Sequence, residues 1–153
     1  MQLFTRLFLE LDQTNKTKAK VQALVNFFEK ADDADKVWCI ALLSGKRPKR
    51  SIRSNDIREW TAELSGLPRW LFEETYHIVG DLAETVAKVL PPAREETDYS
   101  LSYWMDYILA LREMELPERK AHVLQAWNRL NEWERFVFNK MMMGGYRMGV
   151  SQK

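Results

Sequence analysis

The sequence predicts an all-α fold, an irregular multi-helix bundle of about eight or nine helices. Three observations carry the prediction. Apolar residues recur at three- and four-residue spacing, the period of an amphipathic helix, and no stretch alternates convincingly with the period of a strand. Glycine and proline are scarce, six and five in 153 residues, and they fall where the periodic runs stop. Core material is ample: 46% of the chain is hydrophobic, with six Trp, seven Phe and seven Met, so a chain of this length buries a core without disulfides.

The elements follow in order. A first helix covers residues 2–11, with Leu3, Leu7 and Leu11 on one face. Residues 12–15 break it, and Thr14 is placed to cap the next helix, whose Val21, Leu24, Val25 and Phe28 are spaced as one buried stripe. A third helix starts near Asp33 and stops at Gly45. A basic loop, residues 46–53, leads to a fourth helix capped by Ser54 or Asn55 and ended by Gly66. Pro68 suits the first turn of a fifth, which Gly80 interrupts, and Asp81 caps a sixth that runs to Leu90. Residues 91–98 are Pro-rich and then acidic, the clearest loop and a candidate subdomain break. Three amphipathic helices follow. They bury Leu101, Trp104, Ile108 and Leu111; then, after Pro117, Val123, Leu124, Trp127 and Leu130; then Trp133, Phe136, Val137 and Met141, up to Gly144-Gly145. The tryptophans sit at helical spacing among aliphatics and read as core.

Length sets a single domain, residues 1–153, as the expectation. The ending Gly149-Val150-Ser151-Gln152-Lys153 resembles a loop and cap entering a further helix, so the domain is expected to be truncated there. One cysteine, Cys39, lies in an apolar run and reads as a small buried hydrophobe in a reducing compartment. No secretory leader is visible, and no apolar run nears the roughly 20 residues a membrane helix needs. A cytoplasmic, nucleoid-associated location with no membrane partner is expected.

Catalytic signals are missing. No His-Glu-x-x-His, Cys-x-x-Cys, phosphate-binding Gly-rich loop with Lys-Ser/Thr, or Gly-x-Ser-x-Gly elbow occurs. Glu74 and His77 have the spacing of a di-iron Glu-x-x-His, but His122 has Arg119 at the matching position, so no metal site is assigned. No catalytic residue is assigned either.

Charge is segregated although the net is only +1. Residues 46–53 hold five bases and no acid, residues 135–153 four bases and no acid, and residues 54–100 ten acids against four bases. The competing reading is chance clustering on a solvated surface. Four segments suit a phosphate backbone. They are Thr14, Lys16, Thr17 and Lys18 at a helix start; Lys46, Arg47, Lys49 and Arg50 in the basic loop; Gly80 and Asp81; and Gly144, Gly145, Arg147 and Gly149. Each glycine also serves as an ordinary helix stop.

Four stretches together resemble a known family. They are Leu11-Asp12-Gln13-Thr14 with Thr17-Lys18; Trp38 through Leu42-Leu43-Ser44-Gly45-Lys46-Arg47-Pro48; Trp70-Leu71-Phe72-Glu73-Glu74 with Tyr76 and Val79 to Thr85; and Asn139-Lys140 with Gly144 to Ser151. In order and spacing the chain resembles the N-terminal DNA-binding region of bacterial and archaeal ATP-dependent DNA ligases. That resemblance implies an all-helical module that holds nicked double-stranded DNA, largely through phosphates and the minor groove, with the remaining ligase domains in cis. It implies ATP and Mg²⁺ for the parent enzyme and no cofactor in this chain. The lysine that accepts AMP belongs to a Lys-x-Asp-Gly motif of another domain; this sequence contains no Asp-Gly dipeptide. The alternative is a helical protein–protein interaction module that docks a partner helix on exposed aromatics.

Overall fold

The structure, a computed structural model, describes residues 1–45 and 50–143. Those residues form an all-α fold. In chain order the helices are α1 (Gln2–Gln13), α2 (Thr17–Lys30), α3 (Asp33–Leu43), α4 (Ser54–Ser65), α5 (Arg69–Val79), α6 (Leu82–Val89), α7 (Leu101–Leu109), α8 (Leu116–Trp127) and α9 (Glu132–Met143). A 3-10 turn, Ala110–Glu113, follows α7.

The helix ends obey local chemistry. Gly66 and Gly80 close α4 and α5 with φ of 77° and 85°, a left-handed conformation that costs any residue with a Cβ. Asp81 caps α6, its Oδ1 accepting the Glu84 amide at 3.0 Å. Asp32 does the same for α3, accepting the Asp35 amide at 2.9 Å. Asn131 and Glu134 form a reciprocal capping box before α9, at 2.9 and 3.0 Å. Two expected caps differ. Thr14 accepts the Lys16 amide at 3.1 Å and so shapes the α1–α2 turn, while Lys16 holds the cap position of α2 without a side-chain bond. Ser54 is already inside α4, and Arg53 precedes it.

The chain divides into two units. Among the described residues, one comprises 1–45 and 98–109, the other 50–97 and 110–143. One passage from unit to unit thus falls at the end of the 91–98 loop, and others at 45–50 and 109–110.

In the first unit α1 packs on α2 and α3 on α7. Phe4, Leu7, Phe8 and Leu11 of α1 are buried, and Phe4 meets Phe27 of α2 edge-to-face at 6.1 Å. Each such side chain adds about 1.5–3 kcal/mol when withdrawn from water. The buried face of α2 is rotated from the expected stripe. Ala23 and Phe27 are buried, Leu24 and Phe28 half-buried, and Val21 and Val25 exposed. Both faces satisfy helical spacing, and packing against α1 selects the one centred on the aromatic Phe27. Asp35, buried on α3, accepts the Leu101 and Ser102 amides at 3.2 and 2.8 Å and so caps α7 from a neighbouring helix.

In the second unit α4, α5 and α6 pack together, and α6 lies along α9. A buried polar chain ties this core. Trp127 Nε1 donates to Asn139 Oδ1 at 2.8 Å, and Asn139 Nδ2 donates to the Ala83 carbonyl at 3.3 Å. Arg135 is buried and donates through Nε to the Trp127 carbonyl at 2.7 Å. Its pKa is lowered by burial, with the charges of Glu132 and Glu96 acting in the opposite sense. Arg135, counted above with the basic C-terminal segment, therefore belongs to the interior. Trp60, Trp104 and Trp127 are core, as expected, and Trp38 is half-buried. Trp70 and Trp133, 67% and 50% exposed, are not core. Periodicity alone does not reveal that α5 and α9 turn these positions to solvent.

Candidate nucleic-acid interface

A groove of about 310 Å³ opens on the second unit where four elements meet. The start of α4 supplies Ser54 and Arg58, the end of α5 supplies Tyr76, the Gly80–Asp81 corner leads into α6, and α9 supplies Lys140. Arg50 stands at its edge, exposed, and Met143 closes the other side. Among the described residues three cations thus face one acid, Asp81. The positive end of the α6 dipole reinforces them, because Leu82 and Ala83 of its first turn line the wall.

Two of the cations, Arg58 and Lys140, are held by identifiable partners. Arg58 lies 3.6 Å from Glu73 Oε2, and its guanidinium sits 5.0 Å from the Tyr76 ring centroid. Glu73 in turn accepts from Arg69 Nε at 2.8 Å, and Arg69 Nη2 donates to Asn55 Oδ1 at 3.0 Å. This chain from Asn55 to Tyr76 braces Arg58 across α4 and α5. Lys140 pairs with Asp81 Oδ2 while the other oxygen of Asp81 caps α6. One carboxylate therefore does two jobs, ending the positive excess at its own corner and fixing the helix start. Gly80 owes its identity to its φ of 85°, since a Cβ there meets nothing within 4 Å. The space beside it is open for an approaching chain.

Of the residues expected from sequence, the structure brings Arg50, Gly80 and Asp81 to this groove. Lys46, Arg47 and Lys49, and likewise Gly144, Gly145, Arg147 and Gly149, lie outside the described residues. Thr14, Lys16, Thr17 and Lys18 belong to the first unit, where Lys16, Thr17 and Lys18 are exposed at the uncapped start of α2. Sequence reasoning missed Ser54, Arg58, Tyr76 and Lys140. Two signals were available: Arg58, a lone base among the acids of residues 54–68, and Lys140, one of the four bases of the acid-free segment 135–153.

Among the described residues, no helix is long and apolar enough to cross a membrane, and no three His, Cys, Asp or Glu side chains are grouped to hold a metal. The Glu74 and His77 side chains are both exposed. Cys39 is fully buried, and burial pushes its thiol pKa up to about 12.

Fold and groove define a helical module with a preformed, cation-lined cleft that suits an anionic partner. The family described as DNA ligase N terminus matches residues 1–153, and the chain belongs to that family. Among curated proteins, none matches the chain.

Proposed function

We propose that the chain grips duplex DNA beside a nick, as the non-catalytic N-terminal region of an ATP-dependent DNA ligase serving repair or replication. The observation that supports this reading best is the convergence of Arg50, Arg58 and Lys140 around the open Gly80–Asp81 corner. Duplex DNA carries one phosphate charge per roughly 1.7 Å of its axis, so a fixed cluster of cations in a cleft suits the backbone rather than a base sequence. The glycines and Arg147 of residues 144–149 are of the types that suit close approach to a minor groove.

The remaining ligase domains act in cis. In the parent, AMP passes from ATP to a lysine and then to the DNA 5′-phosphate, with Mg²⁺ stabilising charge. No residue set in this chain fits that transfer, since the Lys-x-Asp-Gly motif is missing. The contribution of this region is to hold and align the ends, and alignment is a large part of the barrier in such reactions. The compartment is that of the chromosome, the bacterial or archaeal cytoplasm.

The test is fluorescence anisotropy with a labelled nicked duplex across a KCl series. Binding should be independent of sequence, and log K should fall linearly with log salt. Failure to bind at low salt, or affinity indifferent to salt, would overturn the reading. Incubation with labelled ATP and Mg²⁺ should leave the chain unlabelled, and a covalent AMP adduct would refute the non-catalytic assignment. A second reading, docking of a partner helix, is favoured by Trp70 and Ile78, 67% and 81% exposed on α5. Trp70→Ala leaves DNA affinity unchanged if that face serves a protein.

A further inference from the structure

A second groove of about 690 Å³ lies on the same unit, between the segment entering α4 and the start of α8. Arg50 and Ser54 line both grooves, so the two are continuous through these residues. The second is lined by Arg50, Arg53 and Arg119, with Asp56 and Glu115 as its acids.

The charges in this groove are not matched to one another. No ion pair joins any of the three arginines to a carboxylate among the described residues. Both acids sit at helix starts: Asp56 in the first turn of α4 and Glu115 at the cap position of α8. There each is set against the positive end of a helix dipole. The arginines are thereby left to an external anion. Arg119 is also fixed in place. Its Nε donates to the Met114 carbonyl at 2.8 Å and its Nη1 to the Ser51 carbonyl at 2.6 Å, which ties the two walls together. Its Nη2 has no hydrogen-bond partner among the described residues. Arg53 is exposed on a backbone held by α4.

We infer that the phosphodiester backbone seated against Lys140 runs on past Ser54 into this second groove. Arg53 contacts a further phosphate there, and Arg119 braces the walls and offers its remaining nitrogen. This rests on the DNA-binding reading and extends it to Arg53, at the end of the basic segment 46–53, and to Arg119, which neither composition nor family membership singles out. A small anion would occupy one groove or the other. A polymer with regularly spaced charge engages both at once.

The test compares the full chain with Arg53→Gln, Lys140→Gln and the double variant, each checked by thermal melting. Anisotropy is read with a nicked duplex over a KCl series, and with inorganic phosphate as competitor at constant ionic strength. Each single variant should reduce the log-log salt slope by about 0.9, and the double variant by about 1.8. Millimolar phosphate should displace the duplex poorly. If Lys140→Gln lowers the slope and Arg53→Gln leaves it unchanged, the extension is wrong and the first groove stands. If neither variant moves the slope, the DNA reading of the whole surface fails. If phosphate competes as well as unlabelled duplex does, the second groove is a small-anion site and the continuous track is refuted. Arg53→Gln alters an exposed side chain with no hydrogen bond or ion pair among the described residues, so loss of fold is not expected.

Discussion

Replacing Asp81 with Asn should tighten DNA binding. The substitution keeps an oxygen where Oδ1 accepts the Glu84 amide, and Asn caps helices about as well as Asp, so α6 is retained. It removes the only carboxylate that lines the first groove among the described residues and releases Lys140 from its ion pair. The two side chains are 30% and 16% exposed, an environment near the protein surface. There a unit charge about 6 Å from a phosphate interacts by roughly 1 kcal/mol, between the water and interior limits, which is about fivefold in affinity. Because Lys140 already counts as a phosphate contact, the log-log salt slope should stay nearly unchanged while the affinity rises. Losing a partly exposed ion pair costs up to about 1 kcal/mol of stability, so the melting temperature falls only slightly. Asp81→Ala is the control: it removes the same charge and also the cap, at about 1 kcal/mol more. Anisotropy and melting curves on the same samples give both quantities. Unchanged or weaker binding by a folded Asp81→Asn chain at low salt would refute the reasoning, and would mean that Asp81 itself helps to hold the ligand.

Three further outcomes are expected. Asn139→Ala leaves the Trp127 indole N–H buried without an acceptor, and urea unfolding should show a loss of about 1–3 kcal/mol from that donor alone, plus a cavity term. Cys39, raised from 9.0 to about 12, should ignore a thiol reagent at neutral pH until the chain is unfolded. Because its folded pKa lies above the unfolded one, the stability it contributes is full below about pH 9 and is lost as pH rises toward 12, so Cys39→Ala should flatten that part of the pH profile relative to the wild type. Arg147→Ala should cost roughly 1–3 kcal/mol in DNA binding with little change in melting temperature, whereas unfolding by this change would mark the 144–149 segment as structural.

What sequence conveys here depends on how far a feature reaches along the chain. The stops at Gly66 and Gly80, the Asp81 cap and the helix start at Pro117 were legible because each is decided within one helical turn. The face of α2 was not, since Val21–Val25 and Ala23–Phe27 are equally periodic and only the neighbouring α1 chooses between them. Trp133 was misplaced for the same reason. The groove shows the limit most clearly. Arg58, Tyr76 and Lys140 come from three helices and span more than 80 positions, with no local spacing to connect them. Arg50, Gly80 and Asp81, which line the candidate groove, could be singled out from sequence because charge clustering and glycine chemistry are local signals.

The adjacency of Asn139 and Lys140 has a kinetic consequence. Asn139 is locked in the interior between Trp127 and Ala83, so α9 cannot rotate about its axis without breaking two buried hydrogen bonds. The backbone of Lys140, the next residue, is therefore held at a fixed point of the groove wall. On the proposed DNA-binding reading, an encounter with this wall should need no slow rearrangement of α9, and its rate should follow electrostatic steering. Differences between one duplex end and another should then be expressed in residence time rather than in arrival.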